Sequence, residues 1–318
     1  MKRNILLATL TLMGLLSSQV HATNINVGTY NLILKDDLST SSDIEGRLLV
    51  GGNINMSGKS LDVGSHLATD SSVDAVVVVG DITANDVKAQ TGNIVYGGSA
   101  GSTNLITNSA TGIVEQKDQA VLQAEFDNIW NSVEADSAYF ASLEANANFD
   151  SSGMNQKYLE ASSATELTVY NVSTDEILSG DVYFSESPSV PVVINVDITG
   201  LTELTLNSKA QFTNETDRTM VLWNFFSTDQ TVTDISFNGD GWRGSVLAPY
   251  ANISSSTGAL EGGVAALSYS GSVELHNDLY SYTPPTSTTT PATEVPAPAG
   301  LALMGLGLLF ITRRKLKK

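Results

Sequence analysis

Ser99 lies in GGSAG (Gly97–Gly101), which matches the G-x-S-x-G pattern of a nucleophile elbow. A strand-like run precedes it, and Asp residues and His276 follow in the order used by α/β-hydrolases. That chemistry needs a helix directly after the serine, so that a sharp strand-to-helix turn presents the hydroxyl. The sequence continues instead with STNLITNSATG, polar and strand- or loop-like, and no alternating β/α units surround it. A glycine corner accounts for the same letters, so Ser99 is expected to carry no reaction. Imidazole is scarce: His21 falls in a leader described below, which leaves His66 and His276 for any acid–base pair or metal cluster. His276, in SVELHNDLY, reads as a residue on or at the end of a half-buried strand.

Oxygen ligands are plentiful in KDDLSTSSD (35–43), DITAND (81–86) and NGDGW (238–242), yet none fits the D-x-[DN]-x-[DN]-G loop with its distant Glu. They read first as turn residues, with calcium the one metal left open. A glycosidase pair cannot be singled out, because 34 carboxylates offer pairs everywhere. Trp242 and Arg243 could form an exposed recognition pair, or Trp242 could sit in a core. With no cysteine, thiolate zinc sites, cysteine nucleophiles and disulfides are all excluded. No catalytic, cofactor-binding or metal-binding residue is assigned on this reading.

The elements around these residues are mostly strands. RLLVGGNI (Arg47–Ile54), VVVVGDI (Val76–Ile82) and NIVYGGS (Asn93–Ser99) are each an apolar run entering a glycine, as expected of stacked strands at tight corners where glycine tolerates positive φ. Their spacing is too irregular for a fixed repeat. VPVVINVDI (Val190–Ile198) and LTELTLNSKAQF continue with period-two alternation, which means one buried face. TMVLWNFF, TVTDISF, GSVLAPYANI and GGVAALSY supply further short strands, so the body is mainly β, a solenoid or a sandwich. One stretch departs from this. Between Glu115 and Ala147 there is no Gly or Pro, and Leu122, Phe126, Ile129, Val133, Phe140 and Leu143 recur at helical spacing. The spacing predicts an amphipathic helix of seven to nine turns, interrupted on its apolar side by Asp136. Its polar face is acidic, which disfavours a lipid surface and favours packing along the β body.

Charge and termini describe an exported protein. The chain carries 34 acidic and 16 basic residues, for a net charge of −18. Seven of the basic residues lie at the two ends, so the middle stands near −25, which repels nucleic acid and anionic lipid. Residues 1–22 have a basic start, an apolar stretch from Ile5 to Leu16 and a Val-His-Ala ending, the form of a secretory signal cleaved before Thr23. The domain then runs over 23–282, and 283–294 form a Thr/Pro-rich linker with nothing to bury. Residues 295–318 close the chain with an apolar run, Ala299–Ile311, and five basic residues. As a helix, Val295–Thr312 would span about 27 Å against a hydrocarbon core of about 30 Å, a marginal crossing with the basic end held inside. A permanent single-span anchor and a temporary sorting handle fit these physics about equally.

Residue blocks in the domain carry a family resemblance. YNLILKDDLSTSSDIEGRLLVGGNINMSG (Tyr30–Gly58), AVVVVGDI, GNIVYGG and, after the helix, GWRGSVLAPYANISSSTGALEGGVAALSYSGSVELHNDLY (Gly241–Tyr280) resemble, in order, the choice-of-anchor A domain. The resemblance covers nearly all of 26–282. It implies an exported surface domain, in some members a collagen-binding adhesin. The expected fold is a right-handed β-solenoid-like body with one long α-helix packed alongside, and there are no catalytic residues to carry over. The tail resembles a PEP-CTERM sorting signal. Val295, Pro296 and Pro298 match its Val-Pro-Glu-Pro motif, Ala297 stands where that motif has Glu, and Arg313, Arg314 and Lys315 match its basic end. This implies an exosortase-type processing partner in a Gram-negative bacterium and a precursor held transiently in the inner membrane.

Three function classes follow. The first is an adhesive or structural protein of the cell surface or extracellular matrix, binding a polymer or a matrix protein. The second is a carbohydrate-active enzyme on a solenoid, which should gather Lys, Arg or His with carboxylates in a groove; the domain has only nine basic residues, thinly spread. The third is an ice- or crystal-surface binder, which should show a regular Thr-x-Thr face; none is legible. The expectation is therefore a non-enzymatic adhesive or structural protein.

Overall fold

A computed structural model describes residues 26–68, 72–178, 180–212 and 214–282, all within one compact unit, His21–Pro284. The leader, the linker and the tail, with Val295, Pro296, Ala297, Pro298, Arg313, Arg314 and Lys315, lie outside the described residues. Among the described residues no helix is long and apolar enough to cross a membrane.

Ten strands form one long parallel face, face A: β1 (Leu32–Leu34), β2 (Leu48–Val50), β3 (Asp74–Val78), β4 (Asn93–Tyr96), β5 (Val114–Gln116), β6 (Thr168–Val172), β7 (Val192–Asp197), β8 (Val221–Phe226), β9 (Ser245–Ser255) and β10 (Val264–Gly271). Their order in space is β5-β4-β3-β2-β1-β10-β9-β8-β7-β6. The chain thus starts mid-sheet and climbs to β5. The helix α1 (Gln119–Ala141) then links β5 to the segment leading into β6 at the opposite edge, and the chain builds back until β10 docks on β1 through Leu32↔Val264. After the strands other than β5 the chain turns through a second face, B, and a third, C, before returning. This is a β-solenoid, and the parallel pairing removes the sandwich alternative.

Face A explains the continuous apolar runs in the sequence. Leu32, Leu48, Val76, Val192, Val221 and Val246 point into the solenoid, while Ile33, Leu49, Val77, Val193, Leu222 and Leu247 point outward into a second apolar layer under α1. A sheet buried on both sides has no polar alternation to display. From α1 this layer receives Leu122, Phe126, Trp130, Val133 and Phe140. Each such burial contributes roughly 1.5–3 kcal/mol. The helix is shorter than its pattern suggests, 23 residues or about six turns. Residues 114–116 are claimed by β5 pairing with β4, and Asp118 caps the start by accepting the Ala120 and Val121 N–H groups. Trp130 takes the central position expected of Ile129, which is only partly buried.

The glycine-ended repeats are the corners between faces A and B, and their glycines serve a different purpose from the one expected. Gly52, Gly80 and Gly98 are not at positive φ. They are stacked coil on coil, the Gly80 N–H donating to Gly52 O at 2.9 Å and the Gly98 N–H to Gly80 O at 3.1 Å, and a Cβ on Gly80 would strike Gly52 O and Asn53 Oδ1. Positive φ occurs instead at the corner entering face A, as at Gly92 (φ 88°) and Gly244 (φ 95°). The spacing between stacked residues varies, from 16 for Leu32 and Leu48 to 29 for Val192 and Val221, which is why no period is visible in the sequence.

Candidate ligand-binding face

Face B is an open side of the solenoid, not covered by α1. Its strands, in spatial order, are Ile82–Thr83, Ile54–Asn55, Leu38–Thr40, the second halves of β10 and β9, Thr233–Phe237 and Glu203–Leu206. Alternation is clean here: Leu38, Ile54, Ile82, Tyr269, Ile253, Ile235 and Leu204 point inward. The next residue on each strand points outward, giving a column of Thr83, Asn55, Ser39, Ser270, Ser254, Ser236 and Thr205. All seven are short side chains with hydroxyl or amide groups, about 4.8 Å apart from strand to strand. Ser236 and Ser254 hydrogen-bond through their hydroxyls at 2.8 Å.

A second column, about 6.6 Å away along the strands, holds Ser268, Asn252, Asp234 and Glu203. The Ser268 hydroxyl donates to Asn252 Oδ1 (2.8 Å), and the Asn252 amide donates to Asp234 Oδ1 (2.9 Å). At the other end, Asp37 accepts the Asn53 N–H (2.7 Å), Asn53 Oδ1 accepts the Asp81 N–H (2.8 Å), and Asp81 accepts the Ser99 N–H (2.7 Å). These bonds hold the side chains in fixed register before any ligand arrives. A shallow cavity of about 310 Å³ crosses the centre, walled by Ser39, Ser254, Ser256, Ser270, Ser272 and Lys59. Such a face can offer ordered donors and acceptors to an extended, hydroxylated partner.

The residues that invited a chemical reading are distributed elsewhere. Ser99 is exposed at the A/B corner of the β4 coil, its Oγ accepting the Gly101 N–H. His276 lies on face C in the β10 coil, four coils away or roughly 19 Å along the stack, so the structure does not bring the two together. Trp242 is core, 2% exposed and packed on Trp223 (4.7 Å) and Phe237 (5.2 Å), while Arg243 bonds Glu261 and Gln211 on face C. Of the calcium candidates, Asp37 and Asp81 are occupied by the corner bonds above, and Asp240 pairs with Lys209.

Among the described residues, Glu45, Glu274 and His276 place ligand atoms within 4.8 Å of one another. Glu45 Oε2 already meets His66 Nδ1 at 2.7 Å and the Asn277 N–H at 2.9 Å. A hard cation taking six to eight oxygens is poorly served by two carboxylates and an imidazole. Nearby, burial and then the Asp62 and Glu274 charges raise the Asp43 carboxyl above its usual range.

Sequence reading missed face B because its column is assembled from residues between 39 and 270. The available signal was the alternation in NISSS and LSYSG, where every second residue is small and polar.

Over residues 25–277 the chain matches the family described as "Putative Ice-binding-like adhesive domain". The chain belongs to this family of adhesive-type extracellular domains. No curated protein matches it in sequence. Among solved structures it is similar to a glycosylated ice-binding protein from an Arctic yeast, at 13% identity and a TM-score of 0.34, covering 84% of this chain and 96% of that one. It is likewise similar to an ice-binding protein from an Antarctic biological consortium, at 14% identity and 0.33, covering 85% and 96%. An ice-binding protein from an Antarctic Flavobacteriaceae bacterium gives 14% identity and 0.31, covering 80% of each chain.

Proposed function

We propose that this protein is a non-enzymatic adhesive domain of the cell surface or extracellular matrix that holds an extended polymer or matrix protein against face B. The observation that carries the reading is the in-register column from Thr83 to Thr205. It offers many weak, equivalent hydrogen bonds on one side of a rigid solenoid, and it needs no catalytic residue, metal or cofactor. The acidic surface leaves nucleic acid out of the partner list.

A second reading, ice or another crystal surface, is favoured by the regular strand spacing. The flanking Asp37, Asp81, Asp234 and Glu203 weigh against it, since carboxylates are strongly hydrated and suit a partner with its own hydroxyls. Adhesion of the full chain to insoluble polysaccharides and to collagen-coated surfaces tests the proposal, with a thermal-hysteresis measurement alongside. Ser254→Arg and Ser270→Arg should abolish retention without lowering Tm. Unchanged retention would sink face B as the adhesive surface, and thermal hysteresis lost in the same variants would favour ice.

The choice-of-anchor A assignment and the sorting of the tail belong to the same proposal. An exosortase-type enzyme of a Gram-negative bacterium would read Val295 to Pro298, while Arg313, Arg314 and Lys315 stay inside, and release the domain from a transient inner-membrane precursor. Mature chains ending between Val295 and Ala299 by intact mass would support this. Chains retaining Lys318 in the inner membrane would establish a plain anchor.

A further inference from the structure

A groove of about 440 Å³ lies on the opposite side of the A/B corner from face B, between the last two turns of α1 and the loops that leave β8 and cross β9. Two uncommon local features meet in it. Gln230 is the one non-glycine at positive φ (59°) among the described residues, a conformation that strains a residue carrying a Cβ. Tyr250 sits where β9 breaks register between Ala248 and Asn252, directly after Pro249, and such irregularities re-aim a side chain. Tyr250 and Gln230 both line the groove. On the helix side the groove is faced by Ala138 and Ala141, at positions where a larger residue would fill it.

We propose that this groove binds one unit of a neutral saccharide. A sugar ring has an apolar C–H face and a rim of hydroxyls that both donate and accept. The groove matches this with Ala138, Ala141, Phe226 and the Tyr250 ring on its apolar side, and with Glu134 and Gln230 as polar groups. No Lys or Arg lines it, so a phosphate or uronate would meet only the acidic field. Nor is it built for a cation. Glu134 Oε1 already accepts the Trp130 indole N–H at 2.7 Å and lies 3.5 Å from Lys35 Nζ, so its charge is compensated and Oε2 is left for a hydroxyl. The volume falls in the range of small-molecule sites, about 300–1,000 Å³. This site is separate from the serine-lined face and stands without it.

Calorimetry and saturation-transfer NMR on the full chain test the assignment. The probes are tetrasaccharides of β-1,4-glucose, α-1,4-glucose and β-1,4-N-acetylglucosamine. At least one should bind at a single saturable site. Ala138→Leu, an exposed helix position, should weaken it tenfold or more with Tm unchanged. Gln230→Gly should weaken binding while raising Tm, because it removes the amide and relieves the backbone together. Ser254→Arg should leave this binding intact while abolishing retention on polymer, so the two sites fail separately. Binding by none of the three probes overturns the proposal, as does binding that survives Ala138→Leu. Tighter binding of the free-amine β-1,4-glucosamine tetramer than of its N-acetyl form would overturn the neutral-sugar assignment in favour of a cation site.

Discussion

The strand β9 runs through two environments, turning from one to the other at the irregularity after Ala248. Its first half, Ser245–Ala248, is buried at every position, because the solenoid interior takes Val246 and Ala248 while α1 covers Leu247. Its second half alternates, with Ala251 and Ile253 inside and Asn252 and Ser254 facing water. Strand β10 repeats the change, from Val264-Ala265-Ala266 to Ser268-Tyr269-Ser270. The two faces share a backbone and differ in what lies over them. A covered face needs apolar residues on both sides, and an open one leaves every second position to be chosen for binding.

The sharpest way to break this comparison is to uncover face A. Phe126→Asp places an unpaired charge between α1 and Leu49, Val77 and Val95, and should cost at least about 4 kcal/mol, read as a large fall in Tm or in denaturant midpoint. A variant that melts like the parent would mean that α1 does not pin this face.

A buried carboxyl already in that layer gives the next largest effect. Asp136 is buried on α1, and desolvation raises its carboxyl to about 7, against the pull of a hydrogen bond from the Asn26 backbone. Its folded value lies above its unfolded one, so the folded state binds more protons between about pH 4 and pH 7. Stability from this group is fully present below the unfolded value and is lost as pH rises through about 7, by roughly 4 kcal/mol. Asp136→Asn should flatten that slope, raising Tm at pH 8 and changing it little at pH 4. A parent Tm that does not fall between pH 5 and pH 8 would refute the assignment.

Ser137, Asn195 and Asn224 enter the covered layer as a paired set. The Asn224 amide donates to Ser137 O and to Asn195 Oδ1, both at 2.9 Å, and the Asn195 amide donates to Phe140 O at 2.8 Å, which ties the end of α1 to β8 and β7. Asn224→Ala orphans these groups and should cost about 1–3 kcal/mol, with faster amide exchange in the last turns of α1. On face B the expectation is the opposite. Ser254→Arg should change stability by no more than about 0.5 kcal/mol, because its side chain supports no core, while removing polymer retention. A loss of several degrees in Tm there would erase the distinction between the two faces.

Much of the covered face could be read from the linear pattern. RLLV, VVVVG and NIVY announce strands buried on both sides, and Leu122, Phe126, Val133 and Phe140 announce the helix that buries them. The helix ends were not legible, since pairing of Val114–Gln116 with β4 outcompetes helix formation only once β4 is in place. The corner glycines were found for the wrong reason. Local sequence suggests a torsion preference, whereas the requirement at Gly80 comes from Gly52 and Asn53 in the coil beneath.

Composition and periodicity by themselves determined an acidic, cysteine-free, mainly β body carrying one amphipathic helix, because burial leaves its trace in each segment separately. The candidate faces belong to the tertiary structure alone. Ser39, Ser236, Ser254 and Ser270 become one column only because irregular coils of different length bring positions far apart in sequence into parallel register. Gln230, Tyr250 and Ala138 meet only because the helix crosses a corner formed 92 to 112 residues later in the chain. Register and chain crossing are properties of several segments at once, and no single stretch of sequence records them.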